Sequence, residues 1–199
     1  EPENYLFVLR SIKKYLTDLN QTLIAYCLMP NHYHFLVRQD GDIPASLLIQ
    51  RIFNSYSKAY NKRYQHTGTL FEGNYRVKSI LQTSHILHLC RYIHANPVKD
   101  GVVAQPGDGL LEFPGRVGLR SGTLVDLAFV HSHFPTPGAY KEFVDDYLQT
   151  RTHPPEIATY MDIYDTEVQR TFKVRCTSIH VDYNHTIPKP HSQEESMAG

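Results

Sequence analysis

The stretch from Thr22 to Arg38, TLIAYCLMPNHYHFLVR, decides the fold. Residues 22–29 are almost continuously apolar and rich in strand-forming residues, which predicts a buried β-strand. Pro30-Asn31 is typical of a turn. Residues 32–38 predict a second strand, so the two strands should pair as an antiparallel hairpin.

Helical patterns lie on both sides of this hairpin. Apolar residues at near-helical spacing predict helices over residues 4–19 and 43–65. Residues 70–81 indicate a third strand, and a further helix should run from Thr83 to Asn96, where Pro97 should stop it. The order helix, strand, strand, helix, strand, helix predicts an α+β fold in which helices pack on an antiparallel sheet.

The second half of the chain is less regular. Gly and Pro cluster between residues 106 and 122, which indicates a surface linker, and residues 136–150 predict a helix. Beyond about residue 164 the pattern dissolves, and we expect disorder. The chain therefore divides into a domain over residues 1–105, a linker with a helical C-terminal extension over 106–163, and a tail over 164–199.

Composition limits the classes of protein. The chain has 199 residues, 41% of them hydrophobic, but no apolar run of the roughly 20 residues that a membrane-spanning helix needs. Cys27, Cys90 and Cys176 form no CxxC pair, which favours a reducing compartment.

The net charge is zero, yet residues 1–105 carry 12 Lys or Arg against 7 Asp or Glu, a balance of +5. Residues 106–199 carry an excess of acidic residues of the same size, so the basic residues 1–105 are the candidate functional module.

His32 and His34 flank Tyr33 on the second predicted strand. Side chains two residues apart on a strand point to the same face, so both imidazoles can bind one cation. Two histidines on a solvated strand face would give the same pattern.

The helix from Ser84 to Asn96 carries a second group of polar residues. At about 100° per residue, Tyr92 and Asn96 fall within an arc of roughly 80° together with His85 and His88, beside an apolar stripe. The hydroxyl of Tyr92 offers a nucleophile, and the carboxamide of Asn96 offers a neutral oxygen ligand. The polar face of an ordinary amphipathic helix is the alternative interpretation.

Three segments resemble motifs of one family. Residues 25–37 (AYCLMPNHYHFLV) resemble the HUH motif of single-tyrosine transposases, and residues 90–98 (CRYIHANPV) resemble their catalytic helix. Residues 68–76 (GTLFEGNYR) resemble the strand between the two. The REP-associated tyrosine transposase-like group is the most similar branch, and the resemblance implies an HUH endonuclease fold of the ferredoxin or RRM-like type. It also implies a strand before the first helix, which we expect to be missing from residues 1–105.

The resemblance implies roles for four residues. His32, His34 and Asn96 would hold Mg²⁺ or Mn²⁺, and Tyr92 would be the nucleophile. The implied activity is metal-dependent cutting and joining of single-stranded DNA through a 5′-phosphotyrosine, in the manner of a transposase. The implied partner is single-stranded or hairpin DNA, with the chain acting away from membranes as a monomer or homodimer.

A DNA-binding surface needs cations beside flat rings. Tyr60 and Tyr64 are interleaved with cations on the predicted helix over residues 43–65. The candidate DNA-binding residues are Arg51, Lys58, Lys62, Arg63, Arg76, Lys78, Arg91 and Lys99. A solvated basic face is the alternative for each of them.

Two other functions compete with this one. A catalytically inactive or domesticated relative would hold hairpin DNA without cutting it. A metal-dependent phosphoesterase would use water in place of tyrosine, but it needs a further acid or base, and the sequence offers no partner motif for the His32/His34 pair.

Overall fold

The computed structural model describes residues 1–104, 124–158, 160, 174–177 and 179–181. The linker predicted at residues 106–122 and most of the predicted tail lie outside these residues. The elements in chain order are α1 (Pro2–Leu19), β1 (Gln21–Leu28), β2 (His32–Gln39), α2 (Ser46–Tyr64), β3 (Phe71–Arg76), α3 (Thr83–Lys99), α4 (Leu127–His131), α5 (Pro137–Thr150), β4 (Val174–Thr177) and β5 (Ile179–Val181). No helix of the described residues is long and apolar enough to span a membrane.

The β1–β2 hairpin confirms the prediction made from residues 22–38. The strands pair antiparallel, with Cys27 opposite His34 and Leu28 opposite Tyr33. The N–H of Met29 donates to the carbonyl of His32 at 2.9 Å and closes the connection. The hairpin therefore fixes the direction in which His32 and His34 leave the sheet.

The sheet contains more than this hairpin. The strand order is β1-β2-β4-β3, and β5 also pairs with β2. Both β4 and β5 run parallel to β2, and β3 runs parallel to β4. The α+β class with helices packed on the sheet is confirmed, and the sheet as a whole is mixed.

The strands β4 and β5 correct the prediction of a disordered tail at the residues that they occupy. Val174, Thr177, Ile179 and Val181 are β-branched residues, which favour strands, and the last three stand at alternate positions. The surrounding sequence is polar and contains proline, so its composition predicted disorder despite this short strand pattern. Because β4 lies between β2 and β3, this C-terminal segment links the third strand to the hairpin.

The two faces of β2 belong to different hydrophobic cores. Tyr33, Phe35 and Val37 pack in a core with α1 and α2, and the ring of Tyr33 stacks on Phe53 of α2 with centroids 3.9 Å apart. Leu36 belongs to the other core, which contains apolar residues of α3, α4 and α5. His32 and His34 share the face of Leu36, as the alternation of a strand requires.

Helix α3 does not end where the sequence predicted. Pro97 lies inside the helix, which continues to Lys99. Proline removes one N–H and crowds one carbonyl, and in the last turn this affects only the end of the hydrogen-bond ladder. The N–H of Asp100 still donates to the carbonyl of Asn96 at 2.9 Å. As a result, Lys99 stays in helical register with Tyr92 and Asn96.

Helix α5 covers the part of α3 that carries Arg91, which the sequence analysis placed among the DNA-binding residues. It begins at a capped N-terminus, where the hydroxyl of Thr136 accepts from the N–H of Ala139 at 3.1 Å. All residues from Leu89 to Pro97 are buried. A helix between a sheet and another helix has little solvated surface, so its polar residues line an interior.

Candidate active site

The structure brings His32, His34, Tyr92 and Asn96 together between β2 and α3. The imidazole centroids of His32 and His34 are 4.8 Å apart, and the ring of Tyr92 meets His34 edge-on at 5.9 Å. Asn96 lies one helical turn beyond Tyr92, and its Nδ2 is 2.7 Å from His34 Nε2. Register on the strand and helical spacing on α3 therefore converge on one place.

The contact between Asn96 and His34 defines the state of that imidazole. The amide nitrogen of Asn96 can only donate a hydrogen bond, so Nε2 of His34 accepts with its lone pair. A neutral imidazole with an accepting Nε2 carries its proton on Nδ1. With the proton on Nδ1, Nε2 of His34 could coordinate a cation once the Asn96 amide has turned away from it.

Asn31 makes the corresponding contact with His32, and the sequence analysis missed it. Its Oδ1 lies 2.8 Å from His32 Nδ1, and a carboxamide oxygen can only accept, so Nδ1 carries the proton. The only sequence signal is an Asn directly before the first histidine, which we assigned to the turn.

Burial keeps both histidines neutral. Desolvation lowers the pKa of His34 to well below its ordinary value of 6.5, and the charge of Lys99, with that of His32 whenever it is protonated, lowers this pKa further. Burial also lowers the pKa of His32, although Asp100 partly opposes this shift. Neutral imidazole is the form that binds metals.

The donor set fits a divalent cation incompletely. Two imidazole nitrogens and the amide oxygen of Asn96 would supply three ligands, fewer than the six of an octahedral ion. Within residues 1–104 and the other described parts of the chain, no group of three or more His, Cys, Asp or Glu is placed to hold a metal. A cation here would therefore depend on Asn96 as its third protein ligand.

Tyr92 is enclosed on several sides. Its side chain is 2% exposed. Tyr147 of α5 approaches with its ring centroid 6.3 Å away, and Lys99 places its Nζ 5.1 Å from the centre of the Tyr92 ring. The predicted nucleophile thus lies between β2 and α5, with one cation directly against it.

The other predicted DNA-binding cations lie in different places. Arg51, Lys58, Lys62 and Arg63 are exposed on α2, which packs on the opposite face of the sheet from His34. Arg63 faces the carboxylate of Glu1 at 3.7 Å. Arg76 is exposed at the end of β3, and the half-buried Lys78 lies 5.4 Å from the ring centre of Tyr160. Of the predicted cations, Lys99 is the one in contact with Tyr92.

Arg91, one of the predicted DNA-binding residues, lies under helix α5. Its side chain is 6% exposed and lies between the rings of Phe143 and Tyr147 of α5, at 4.3 and 5.2 Å. One guanidinium nitrogen pairs with Asp146 at 3.5 Å, and another donates to the carbonyl of Thr152 at 3.3 Å. Arg91 therefore attaches α5 to α3, and its guanidinium is covered.

Comparison with known proteins gives one match. The family model described as "Transposase IS200 like" matches residues 4–96, from the first helix to the asparagine one turn beyond Tyr92. No curated protein and no solved structure matches the chain. The matched span contains the hairpin and α3, and it ends before α4 and α5.

Proposed function

We propose that the chain cuts and rejoins single-stranded DNA by forming a covalent bond to Tyr92, because residues 4–96 match the IS200-like transposase family model. The family match supports a role in transposition with DNA as the partner. The convergence of Tyr92 with two neutral histidines and Asn96 supports the finer mechanism, because a tyrosine nucleophile needs an electrophilic phosphate held beside it.

The residues divide the reaction between them. His32, His34 and Asn96 would hold Mg²⁺ or Mn²⁺, which supplies Lewis-acid activation of the scissile phosphate when bound. The oxygen of Tyr92 attacks phosphorus and releases its proton, and a P–O(Tyr) bond forms. The bond from phosphorus to the 3′ oxygen breaks, and that oxygen takes up a proton and leaves as a hydroxyl. A second 3′ hydroxyl can reverse these steps and join a new strand.

Lys99 has a separate task in this proposal. The transferred phosphate carries negative charge, and a nearby ammonium offsets that charge as bonds to phosphorus change. The Nζ of Lys99 lies against the ring of Tyr92 and lowers the pKa of both His32 and His34 through its charge. Lys99 therefore lies beside Tyr92, and its charge acts on both histidines.

Access to the site requires movement. His32, His34, Tyr92 and Asn96 are each at most 5% exposed. In this proposal a DNA phosphate reaches Tyr92 after neighbouring groups move, and Tyr147 of α5, with its ring centroid 6.3 Å away, is one of them. Loop and helix openings of this kind are a common step before chemistry.

Covalent capture tests the proposal. A pool of single-stranded hairpin oligonucleotides labelled at the 3′ end is incubated with the full chain and Mn²⁺, then separated in SDS. A 5′-phosphotyrosine keeps the 3′ label on the protein, so the wild type should give a labelled band and peptide mass spectrometry should place the nucleotide on Tyr92. Tyr92→Phe should bind the same pool and give no band. Tyr33→Phe, on the opposite face of β2, is the control and should keep the band.

Two other outcomes identify the rival functions. Cleavage that persists in Tyr92→Phe, with no adduct in the wild type, would make water the nucleophile and the chain a phosphoesterase. Binding without cleavage or adduct in the wild type would indicate a hairpin-binding module, and the burial of Tyr92 is the observation that favours it.

A further inference from the structure

We propose that Asn31 is a positioning residue for His32, holding its imidazole in the tautomer that leaves Nε2 unprotonated for a cation. This inference rests on the proposed function where it treats His32 as a metal ligand. The tautomer itself can be measured without any metal, so the two ideas can fail separately.

The hydrogen bond defines the direction of the effect. Oδ1 of Asn31 accepts from Nδ1 of His32 at 2.8 Å. A neutral imidazole without a partner can carry its proton on either nitrogen, whereas an acceptor at Nδ1 selects the Nδ1–H form. The other nitrogen of a metal-binding histidine commonly has such an outer partner, which fixes the orientation of the ring.

The local backbone makes Asn31 a rigid partner. Asn31 lies in the short connection between β1 and β2, and the bond from Met29 N–H to the His32 carbonyl closes this connection at 2.9 Å. Asn31 is half-buried, and the ring of His32 is 5% exposed. Little freedom remains for the carboxamide to leave Nδ1.

The two histidines are held from opposite sides. Asn31 accepts from Nδ1 of His32, and Asn96 donates to Nε2 of His34. Both contacts require the proton on Nδ1. Asn96 contacts Nε2 of His34, the nitrogen that would bind the cation. Asn31 contacts Nδ1 of His32, on the other side of the ring from the nitrogen that would bind, so its hydrogen bond can persist when a cation binds.

The chain contains a matched control for this contact. Oδ1 of Asn61 lies 3.0 Å from Nδ1 of His66, which joins the same two atom types on the exposed end of α2. This pair lies on the other side of the sheet from His34. A change at Asn61 should therefore affect His66 and leave His32 as it is.

Nitrogen NMR of the full chain, labelled with ¹⁵N-histidine and free of metal, tests the assignment. The wild type should show His32 as the Nδ1–H tautomer, with the signals assigned by loss in His32→Gln. Asn31→Ala should shift His32 towards a mixture of tautomers. Asn31→Asp keeps an acceptor oxygen and should restore the Nδ1–H form. Asn61→Ala should leave the His32 signals unchanged.

Mn²⁺ titration followed by electron paramagnetic resonance gives the second measurement. Asn31→Ala should weaken Mn²⁺ binding by about 10–100-fold, the range found for outer partners of metal-binding histidines. Asn61→Ala should stay within about twofold of the wild type. If Asn31→Ala does not fold, the Asp variant and the wild-type spectrum still decide the tautomer.

Specific results would overturn the proposal. An unchanged Nδ1–H tautomer in Asn31→Ala would mean that Asn31 does not select it. A changed tautomer with unchanged Mn²⁺ affinity would show that the contact has no role in binding the cation. If the wild type binds no Mn²⁺ but Asn31→Ala still shifts the tautomer, the metal in the proposed function fails and the structural role of Asn31 is supported.

Discussion

The Nδ2 atom of Asn96 lies 2.7 Å from Nε2 of His34, and this bond joins helix α3 to strand β2 at the atoms that would bind a cation. The proposed ligands are thus assembled before any cation enters. Rotation of the Asn96 carboxamide would release Nε2 and turn Oδ1 towards the same place. Assembly in advance reduces the ordering that binding must supply.

Replacing Asn96 with Ala should affect both stability and binding. The change removes the donor to a buried imidazole nitrogen, which costs about 1–3 kcal/mol in the free energy of unfolding. It also removes a proposed ligand, so Mn²⁺ affinity should fall at least about tenfold. Urea denaturation and Mn²⁺ titration measure the two effects. Asn54→Ala, at an exposed position on α2, is the control, and an unchanged Mn²⁺ affinity in Asn96→Ala would remove Asn96 from the ligand set.

Stability should fall as the pH is lowered below neutrality. Burial lowers the pKa of His94 from 6.5 to about 3, so below pH 6.5 the unfolded chain binds a proton that the folded chain excludes. The folded state then loses about 1.4 kcal/mol per pH unit from this residue. Its stabilising contribution is complete above pH 6.5.

Urea denaturation at pH 6.5 and pH 5 measures this slope. His94 contributes about 2 kcal/mol to the expected difference in the free energy of unfolding between the two pH values. The lowered pKa values of His32 and His34 change this free energy in the same direction. His94→Gln should reduce the slope by the share that His94 contributes. Equal stability at both pH values would contradict the burial of neutral histidines.

Lys99 and Lys62 should differ in what they control. Lys99 lies against Tyr92, so Lys99→Gln should slow adduct formation by about 10-fold or more at saturating DNA, the scale for losing one charge-stabilising group. Lys62 is exposed on α2, on the far side of the sheet. Lys62→Gln should weaken DNA binding and reduce its salt dependence by about one counterion, with no change in the rate at saturation. Identical effects of the two substitutions would refute this separation of roles.

Removing the C-terminal strands should loosen the sheet. A chain that ends at Tyr160 lacks β4, through which β3 joins β2. The amide protons of Phe71–Arg76 should then exchange with solvent much faster, because backbone groups without a partner open readily. The amide protons of β1 that bond to β2 should keep their protection, because this pairing does not involve β4 or β5. Hydrogen exchange followed by mass spectrometry compares the two chains, and unchanged protection of β3 would show that β4 is dispensable.

Much of this architecture could be predicted from local patterns. The hairpin, the helices and the face shared by His32 and His34 follow from periodicity, because strand and helix repeats determine side-chain direction. The approach of Tyr92 and Asn96 to that face needed the family resemblance as well. The hairpin, the helices and the shared histidine face require no knowledge of contacts between distant parts of the chain, whereas the contact of Asn96 with His34 joins residues 62 positions apart.

The errors have a common physical origin in long-range packing. Arg91 looked like a surface cation because nothing nearby in the sequence shows that α5 covers it. The strands β4 and β5 gain their partners from residues more than a hundred positions earlier. Pro97 stays helical because its place in the last turn limits the damage that proline causes.

The two-sided burial of β2 makes the spacing of its histidines intolerant of insertions and deletions. Side chains alternate between two separate cores, with Tyr33 and Phe35 on one side and Leu36 on the other. A single residue gained or lost between His32 and His34 would place the two imidazoles on opposite faces, or send aromatic rings into the wrong core. One inserted or deleted residue is therefore enough to disrupt either the histidine pair or the packing of the aromatic rings. Point substitutions change one side chain of this strand at a time, whereas an insertion or deletion moves every following side chain to the other face.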